Sequence, residues 1–441
     1  MAQVLSWGLM KGQDAAQTPI HWRSEIDAIW SHCTPPFLAY GYGRSYGDSC
    51  LPVGGTVLAM DTLRKIRWFD RERGVISCEA GLSFAELLDL IVPTGWFVPV
   101  TPGTKFVSLG GAMANDVHGK NHHRRGTIGC HIQEFELRRS NGDILHCSPT
   151  ENSELFRATL GGLGLTGLIS WCTLALIPIA SALIDAESIK TKNLEEFFEL
   201  EEDSQEKFEY TVSWIDCMAR GRHRGRGNFI RGNHRSVGDP AAEYAQQSKL
   251  KVSIPIAAPE FVLNSWSIRA FNQLYYHKQQ RSLIKAQQAL DPFFYPLDMV
   301  LHWNRLYGNR GLLQYQCVLP VDRKAEFGQL FDRIAASGQG SFLAVIKKFG
   351  SRASPGLLSF PGEGYTLSLD FAFRGDASRK LFAELDRLVG IAGGRLYPAK
   401  DALMSPAMFQ ASYPQWREFQ SYVDPAFQSL FWQRVSAHVP G

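Results

Sequence analysis

Residues 107–123 constrain this chain more than any other stretch. They read Val-Ser-Leu-Gly-Gly-Ala-Met-Ala-Asn-Asp-Val-His-Gly-Lys-Asn-His-His. Gly110 and Gly111 let a backbone approach something flat or charged with no Cβ in the way, and Ala112 and Ala114 extend that clearance. Asn115, Asp116, His118, Lys120, Asn121, His122 and His123 follow at once. Crowding so many polar groups gains a fold nothing unless they meet a ligand. A solvated loop is the alternative, but such loops carry Ser, Pro and Lys rather than three His beside a Gly-Gly-Ala run. His118, His122 and His123 lack a paired Cys or a Glu-His spacing, which disfavours zinc.

A second glycine cluster lies at 41–48, Gly-Tyr-Gly-Arg-Ser-Tyr-Gly-Asp, after the short apolar run 37–40. Such a turn can aim several backbone N–H groups at one anion, with Arg44 adding charge. It is neither a Walker loop nor a dinucleotide fingerprint. A phosphate cradle and a plain glycine-rich hairpin fit it equally well. A third glycine run, 161–167, feeds a strand over 169–177.

Strands are expected at 56–60, 66–69, 74–80, 96–100 and 132–138. Ser83 and Glu86 form a capping box opening a helix to about Ile91. Pro178 and Ala180 mark a domain boundary. Beyond it, 193–207 reads as an acidic helix and 210–215 as a strand. Arg220, Arg222, His223, Arg224, Arg226 and Arg231 then interleave with glycine, as either a solvated hairpin or an anion- or membrane-facing patch. Residues 232–262 show little periodicity and are expected to be a mobile, lid-like loop. Strands at 312–319, 342–349 and 365–373, with helices at 324–336 and 377–391, give an antiparallel α+β sheet with helices on one face. Alternation places Gln314 and Gln316 on one face, and Thr366, Ser368 and Asp370 on one face of the later strand.

The net charge of +3 gives no argument for nucleic acid. The eight Cys form no C-x-x-C pair and read as reduced packing thiols of an intracellular protein. The first residues have no basic flank or long apolar run, so no signal peptide is expected. No charge-free apolar stretch reaches membrane-spanning length.

These motifs, with Pro102-Gly-Thr104, Pro296-Leu-Asp298, Trp303-Asn-Arg305, Gln314-Tyr-Gln316 and Arg395-Leu-Tyr-Pro-Ala-Lys-Asp401, carry a resemblance. The chain resembles FAD-binding oxidoreductases of the vanillyl-alcohol-oxidase (PCMH) type. It is most similar to the branch formed by the flavin subunit of decaprenylphosphoryl-β-D-ribose 2′-epimerase. The resemblance implies an α+β, two-domain fold: a PCMH-type FAD-binding domain over 1–180 and an antiparallel-sheet substrate domain with flanking helices over 181–394. The segment 395–441 would return to the FAD domain.

The resemblance also implies non-covalent FAD. Its binding would fall to Gly41, Gly43, Arg44, Ser45, Tyr46, Gly47, Asp48, Gly103, Thr104, Ser108, Gly110, Gly111, Asn115, Asp116, Val117, His118, Ile169, Tyr397 and Lys400. Substrate would meet Lys120, Tyr295, Gln314, Gln316, Lys347, Phe349, Thr366 and Ser368. Lys400 is the first candidate for handling the substrate proton, with His118 second and Tyr46 as relay. A Lys400 that only stabilises negative charge fits nearly as well. No metal is implied. Mycobacterial members carry a cysteine where Ser368 stands.

The implied reaction is oxidation of the 2′-hydroxyl of a polyprenyl-phosphoryl ribose to a ketone, in arabinan biosynthesis for the cell wall. A separate NAD(P)H-dependent reductase completes the epimerisation. The implied location is the cytoplasm, peripheral at the inner membrane face. An aldonolactone or alditol oxidase acting on a free sugar is the alternative.

Overall fold

The computed structural model describes residues 3–247 and 252–437. Three sheets organise it. The first is small and parallel: β1 (Ala16–Pro19), β2 (Phe37–Tyr40) and β3 (Thr56–Ala59), with β3 in the middle. The second comprises β4 (Ile66–Asp70), β5 (Val75–Glu79), β6 (Ile132–Arg138), β7 (Ile144–Cys147) and β8 (Leu168–Ala175), in the order β4-β5-β8-β6-β7. All its pairings are antiparallel.

Helix α1 (Phe84–Ile91) starts where its capping box places it: Ser83 Oγ accepts from Glu86 N while the Glu86 carboxylate accepts from Ser83 N. It buries Phe84, Leu87, Leu88 and Ile91. The glycine-rich stretch folds into a short helix, α2 (Leu109–Ala114), capped by Ser108 Oγ. Gly110 is required there, since a Cβ would sit 2.9 Å from the Ala80 methyl just after β5. Residues 96–100 differ from expectation. Only Trp96–Phe97 pairs, against Ile177–Pro178, because Pro99 and Pro102 offer no N–H to extend a ladder.

The third sheet holds eight strands: β9 (Leu183–Thr191), β10 (Tyr210–Ile215), β11 (Gly227–His234), β12 (Leu283–Ala289), β13 (Leu312–Leu319), β14 (Ala344–Phe349), β15 (Gly364–Ala372) and β16 (Arg395–Leu396). Their order is β12-β9-β11-β10-β14-β15-β13-β16. One face packs on helices α3 (Leu194–Ser204), α5 (Lys324–Ser337) and α6 (Asp376–Ile391). There Leu313, Tyr315, Cys317, Leu367, Leu369 and Phe371 share a core with Phe197, Phe331 and Leu385. The alternate residues point the other way, toward the first domain.

Helix α4 (Ser265–Lys278) lies between β11 and β12 in sequence. The expected loop at 232–262 is partly structured. Helix Pro240–Ala245 starts on an Asp239 cap, and Val252–Ser253 pairs with Val300–Leu301; residues 248–251 lie outside the described ones.

The segments on either side of the expected boundaries knit the two units together. Leu290, Phe293, Phe294 and Tyr295 join the first domain's core. After β16 the chain forms helices including α7 (Leu430–Val435). Phe409, Phe419, Phe431 and Trp432 pack into the core under the third sheet, while Asp424 bonds Arg139 and Leu430 N donates to Leu51 O.

Candidate functional site

The inner face of the third sheet, the loop after β2, the glycine-rich turn at 161–167 and α2 enclose one cavity of about 700 Å³. That is room for a large cofactor plus substrate. Its lining divides into three regions.

The first region is glycine-rich. Gly41, Gly43, Arg44, Ser45, Gly103, Thr104, Ser108, Gly110, Gly111, Asn115, Val117, Gly164, Gly167 and Ile169 line it. Gly43 has φ +60°, and a Cβ there would lie 2.0 Å from the Tyr40 hydroxyl oxygen. Arg44 Nε, Ser49 Oγ and Asn115 Oδ1 are buried without a hydrogen-bond partner, yet all three residues line the cavity. Buried polar atoms left unpaired at a cavity wall are what a polar ligand satisfies. The Arg44 guanidinium lies 4.0 Å from the Trp7 ring centroid. Asp298 holds the adjoining turn by accepting from Thr104 Oγ1 at 2.7 Å and Lys105 N at 2.8 Å.

The second region is a polar centre. His118 is buried, with Gln316 Nε2 2.9 Å from its Nε2 and Lys347 Nζ 3.3 Å from its Nδ1. Burial and the surrounding cations hold the imidazole neutral, well below its usual pKa. Burial and the neighbouring Lys120 and Lys400 push Lys347 down to about 7. Burial pushes Lys120 to about 7 also, while its ammonium donates to Phe293 O. Gln314 donates to the buried Asp370. Burial pulls the Lys400 pKa down, and the Asp370 carboxylate opposes it. Lys400 Nζ sits 4.0 Å from the Tyr46 ring centroid. Ser368 pairs with Gln316 across β15 and β13 and lines the same centre.

The third region is apolar: Val212, Trp214, Ile230, Phe271, Tyr275, Leu297, Trp303, Leu306, Phe342 and Leu343. Its aromatic rings pack on one another, Trp214 on Tyr275 at 4.5 Å and Phe342 on Phe271 at 5.5 Å.

Six of the sequence candidates stand behind this wall rather than on it. Gly47 packs on the backbone of Asp401, where a Cβ would lie 1.5 Å from the carbonyl oxygen. Asp48 is bound by Arg434. Asp116 is fully buried, is itself left-handed at φ +40°, and accepts from Gly129 N and Ser359 Oγ, fixing the turn that leads to His118. Its carboxyl is pushed up to about 6 by burial. Tyr295 bonds Thr101 Oγ1 at 2.6 Å. Phe349 supports His118 with its ring at 4.7 Å, and Thr366 Oγ1 accepts from Gln316 at 3.3 Å. These six buttress the residues that face the cavity. The three histidines do not converge: His123 Nε2 lies 3.0 Å from Phe208 O and His122 packs on Phe349.

Sequence reasoning placed Asp370 on the face of β15 that carries Ser368 but gave it no role, and it missed two elements. The aromatic end comes from segments too far apart to be read together. The clasp of Arg434 on Asp48 and Asp401 joins residues nearly four hundred positions apart and has no local signature. The Arg220–Arg231 cluster is mostly paired internally rather than forming a free patch. Arg226 binds Asp216, Arg224 binds Asp332, and Arg231 binds Glu187 and Asp203.

Residues 22–148 match the family model described as FAD binding domain. The chain is 36% identical, over 88% of its length and 86% of the relative's, to decaprenylphosphoryl-beta-D-ribose oxidase of Mycolicibacterium smegmatis. It belongs to the decaprenylphosphoryl-β-D-ribose oxidase family. It is therefore an FAD-dependent oxidoreductase with the α+β fold of that family. A second relative, the uncharacterized protein in the mprA 5′ region of Streptomyces coelicolor, is 31% identical over 78% of this chain and 96% of its own. L-gulonolactone oxidase of Scyliorhinus torazame is 29% identical over 31% of each chain. Among the described residues no helix is long and apolar enough to cross a membrane.

Proposed function

We propose that this chain oxidises the 2′-hydroxyl of a polyprenyl-phosphoryl ribose to a ketone. The observation that carries this is the presence of all three regions in the lining of one cavity. A glycine-rich end with unpaired polar atoms fits FAD. A cationic centre fits a sugar phosphate, and an aromatic end fits a prenyl chain. The name of the M. smegmatis relative, an oxidase of decaprenylphosphoryl ribose, supports the substrate class. A free sugar or lactone would leave the aromatic end unfilled, so the lactone-oxidase reading is the weaker.

Gly41, Gly43, Arg44, Ser45, Ser49, Gly110, Gly111 and Asn115 would hold the cofactor, non-covalently, with unpaired donors and acceptors aimed at it. Bound FAD supplies the two-electron acceptor for the carbinol carbon. The protein supplies the rest. Lys120 and Lys347 neutralise the phosphodiester, whose charge in turn keeps both lysines protonated. His118, held neutral with one ring nitrogen on Gln316 and the other on Lys347, positions those two side chains toward the substrate. Lys400 accepts the hydroxyl proton at Nζ, because burial enlarges its neutral fraction and Asp370 tunes it. Tyr46, its pKa raised by burial, stays a neutral donor beneath Lys400. The aromatic wall excludes water.

A separate NAD(P)H-dependent reductase returns the ketone with the opposite configuration, and the oxidase works at the cytoplasmic face of the membrane where its substrate resides. Turnover with a dye acceptor tests the reading. Polyprenyl-phosphoryl ribose should exceed free ribose and aldonolactones in kcat/KM by orders of magnitude; a preference for free sugar would reject it.

A further inference from the structure

Resting on the reading that the substrate carries a prenyl tail, we propose that α4 and the segment leading into it dock this protein onto an anionic bilayer. The cavity then opens directly into the lipid.

Four large apolar side chains here lie in solvent: Ile256 at 76% exposure, Phe261 at 77%, Trp266 at 80% and Leu274 at 74%. Trp266 and Leu274 stand on α4, Phe261 lies in the turn leading into it, and Ile256 precedes that turn. Ser267 Oγ donates to Val262 O at 2.6 Å and Asn264 Nδ2 to Phe261 O at 2.9 Å, folding that segment onto the first turn of α4. Along the helix, Trp266, Ala270, Leu274 and Lys278 recur at steps of four, so they form one stripe. The opposite side of α4 is anchored by Ile268, Asn272 and Tyr276, which are buried.

The charge along this segment is mostly basic. From 252 to 290 the chain carries Arg269, Lys278, Arg281 and Lys285 against Glu260 alone; Glu260 is bound to Arg310 and Lys285 to Glu187, which leaves Arg269, Lys278 and Arg281 as the basic rim. A helix with an apolar stripe, a tryptophan and basic flanks is built to lie in the headgroup region of an anionic membrane. An apolar protein partner would gain nothing from that basic rim.

Continuity with the cavity completes the case. Phe271 and Tyr275, between the stripe and the anchored side, line the apolar end of the cavity and also reach solvent. A prenyl chain leaving the cavity past these rings meets the α4 surface first. The tail therefore need not cross water between bilayer and active site.

Flotation of the FAD-loaded full chain with phosphatidylglycerol/phosphatidylcholine vesicles, beside vesicles of phosphatidylcholine alone, tests this. Wild type should float with the anionic vesicles only. The double variant Trp266→Glu, Leu274→Glu touches no cavity residue and should lose at least ~10-fold in partitioning. Its turnover of a short-chain, water-soluble prenyl-phosphoryl ribose should match wild type. A double variant that floats like wild type overturns the assignment of α4. Wild type that turns over the soluble analogue but never floats overturns membrane docking while leaving the substrate reading intact. Failure to turn over the analogue at all rejects the substrate reading instead. A dimer in sedimentation that the double variant dissolves would make the surface a self-association face and overturn the proposal.

Discussion

Arg434→Met removes the guanidinium that sits between Asp48 and Asp401. In the folded chain Arg434 Nε and Nη2 donate to Asp48 at 2.9 and 2.8 Å, Nη2 donates to Asp401 at 2.9 Å, and Nη1 donates to Met404 O. Asp48 and Asp401 are both buried. Methionine keeps the volume but leaves two carboxylates facing each other with no cation. Breaking a buried pair in this way costs about 3–5 kcal/mol. With an unfolding entropy of about 2.1 cal/mol/K per residue over 441 residues, each kcal/mol is worth roughly 1 °C, so Tm should fall by about 3–5 °C.

The pH dependence follows from the Asp48 carboxyl, which burial raises above its usual range even beside Arg434. Without Arg434 it rises further. A carboxyl with a raised folded-state pKa takes up a proton on folding. Its cost is therefore present above the folded pKa and disappears as pH falls toward the unfolded value. The Tm gap between variant and wild type should narrow as pH falls from neutral toward the ordinary carboxylate range. The clasp also ties the cofactor loop to the segment bearing Lys400, so flavin release should occur at a lower temperature in the variant. Thermal unfolding followed by flavin and tryptophan fluorescence across that range is the assay. A variant within about 1 kcal/mol of wild type, or a gap that does not move with pH, refutes the reasoning.

Lys400→Ala should retain FAD and lose about 10²–10⁴-fold in substrate-driven reduction; near wild-type rate in a stopped-flow trace would remove Lys400 from proton handling. Gly47→Ala should prevent assembly of the holoenzyme, because its Cβ would overlap the Asp401 carbonyl; flavin content after purification reads this. KM for the lipid-linked substrate should rise as pH increases through about 7, where Lys347 and Lys120 lose charge in the free enzyme; Lys347→Met should flatten that profile. Electrophiles that trap a pocket thiol should leave the wild type unmodified, whereas Ser368→Cys should gain a mass adduct on that residue. Cys50 also lines the cavity, but burial pushes its thiol up to about 12, leaving little thiolate to react.

Alternation makes the cavity-facing side of the third sheet legible in the sequence. Gln314 and Gln316 fall opposite Leu313, Tyr315 and Cys317 because a strand has a period of two. The Ser83–Glu86 box located α1 for an equally local reason. Residues 107–123 announced a site through composition, although the helix inside it escaped notice because Gly110 and Gly111 are poor helix formers. Tertiary contact overrides that preference here: only glycine lets α2 lie against Ala80. The helix at Pro240–Ala245 had a readable signal, an Asp cap before an N-terminal proline, but the weak periodicity around it concealed it. The Arg220–Arg231 cluster reads equally as a solvated hairpin or an anion- or membrane-facing patch because its partners, Glu187, Asp203, Asp216 and Asp332, are scattered along the chain. The resemblance assigns Asp48 and Asp116 to the cofactor, and nothing in their local sequence says otherwise. A carboxylate next to a glycine turn reads the same whether it faces a cavity or clamps the turn from behind.

Anaerobic mixing of the FAD-loaded protein with polyprenyl-phosphoryl ribose tests the central claim most directly, with visible absorbance followed and the lipid product trapped by a carbonyl reagent. The flavin should bleach in a single phase, with one 2′-ketone recovered per FAD reduced. A flavin that stays oxidised with the lipid-linked pentose, yet bleaches with a free sugar or lactone, would contradict the account.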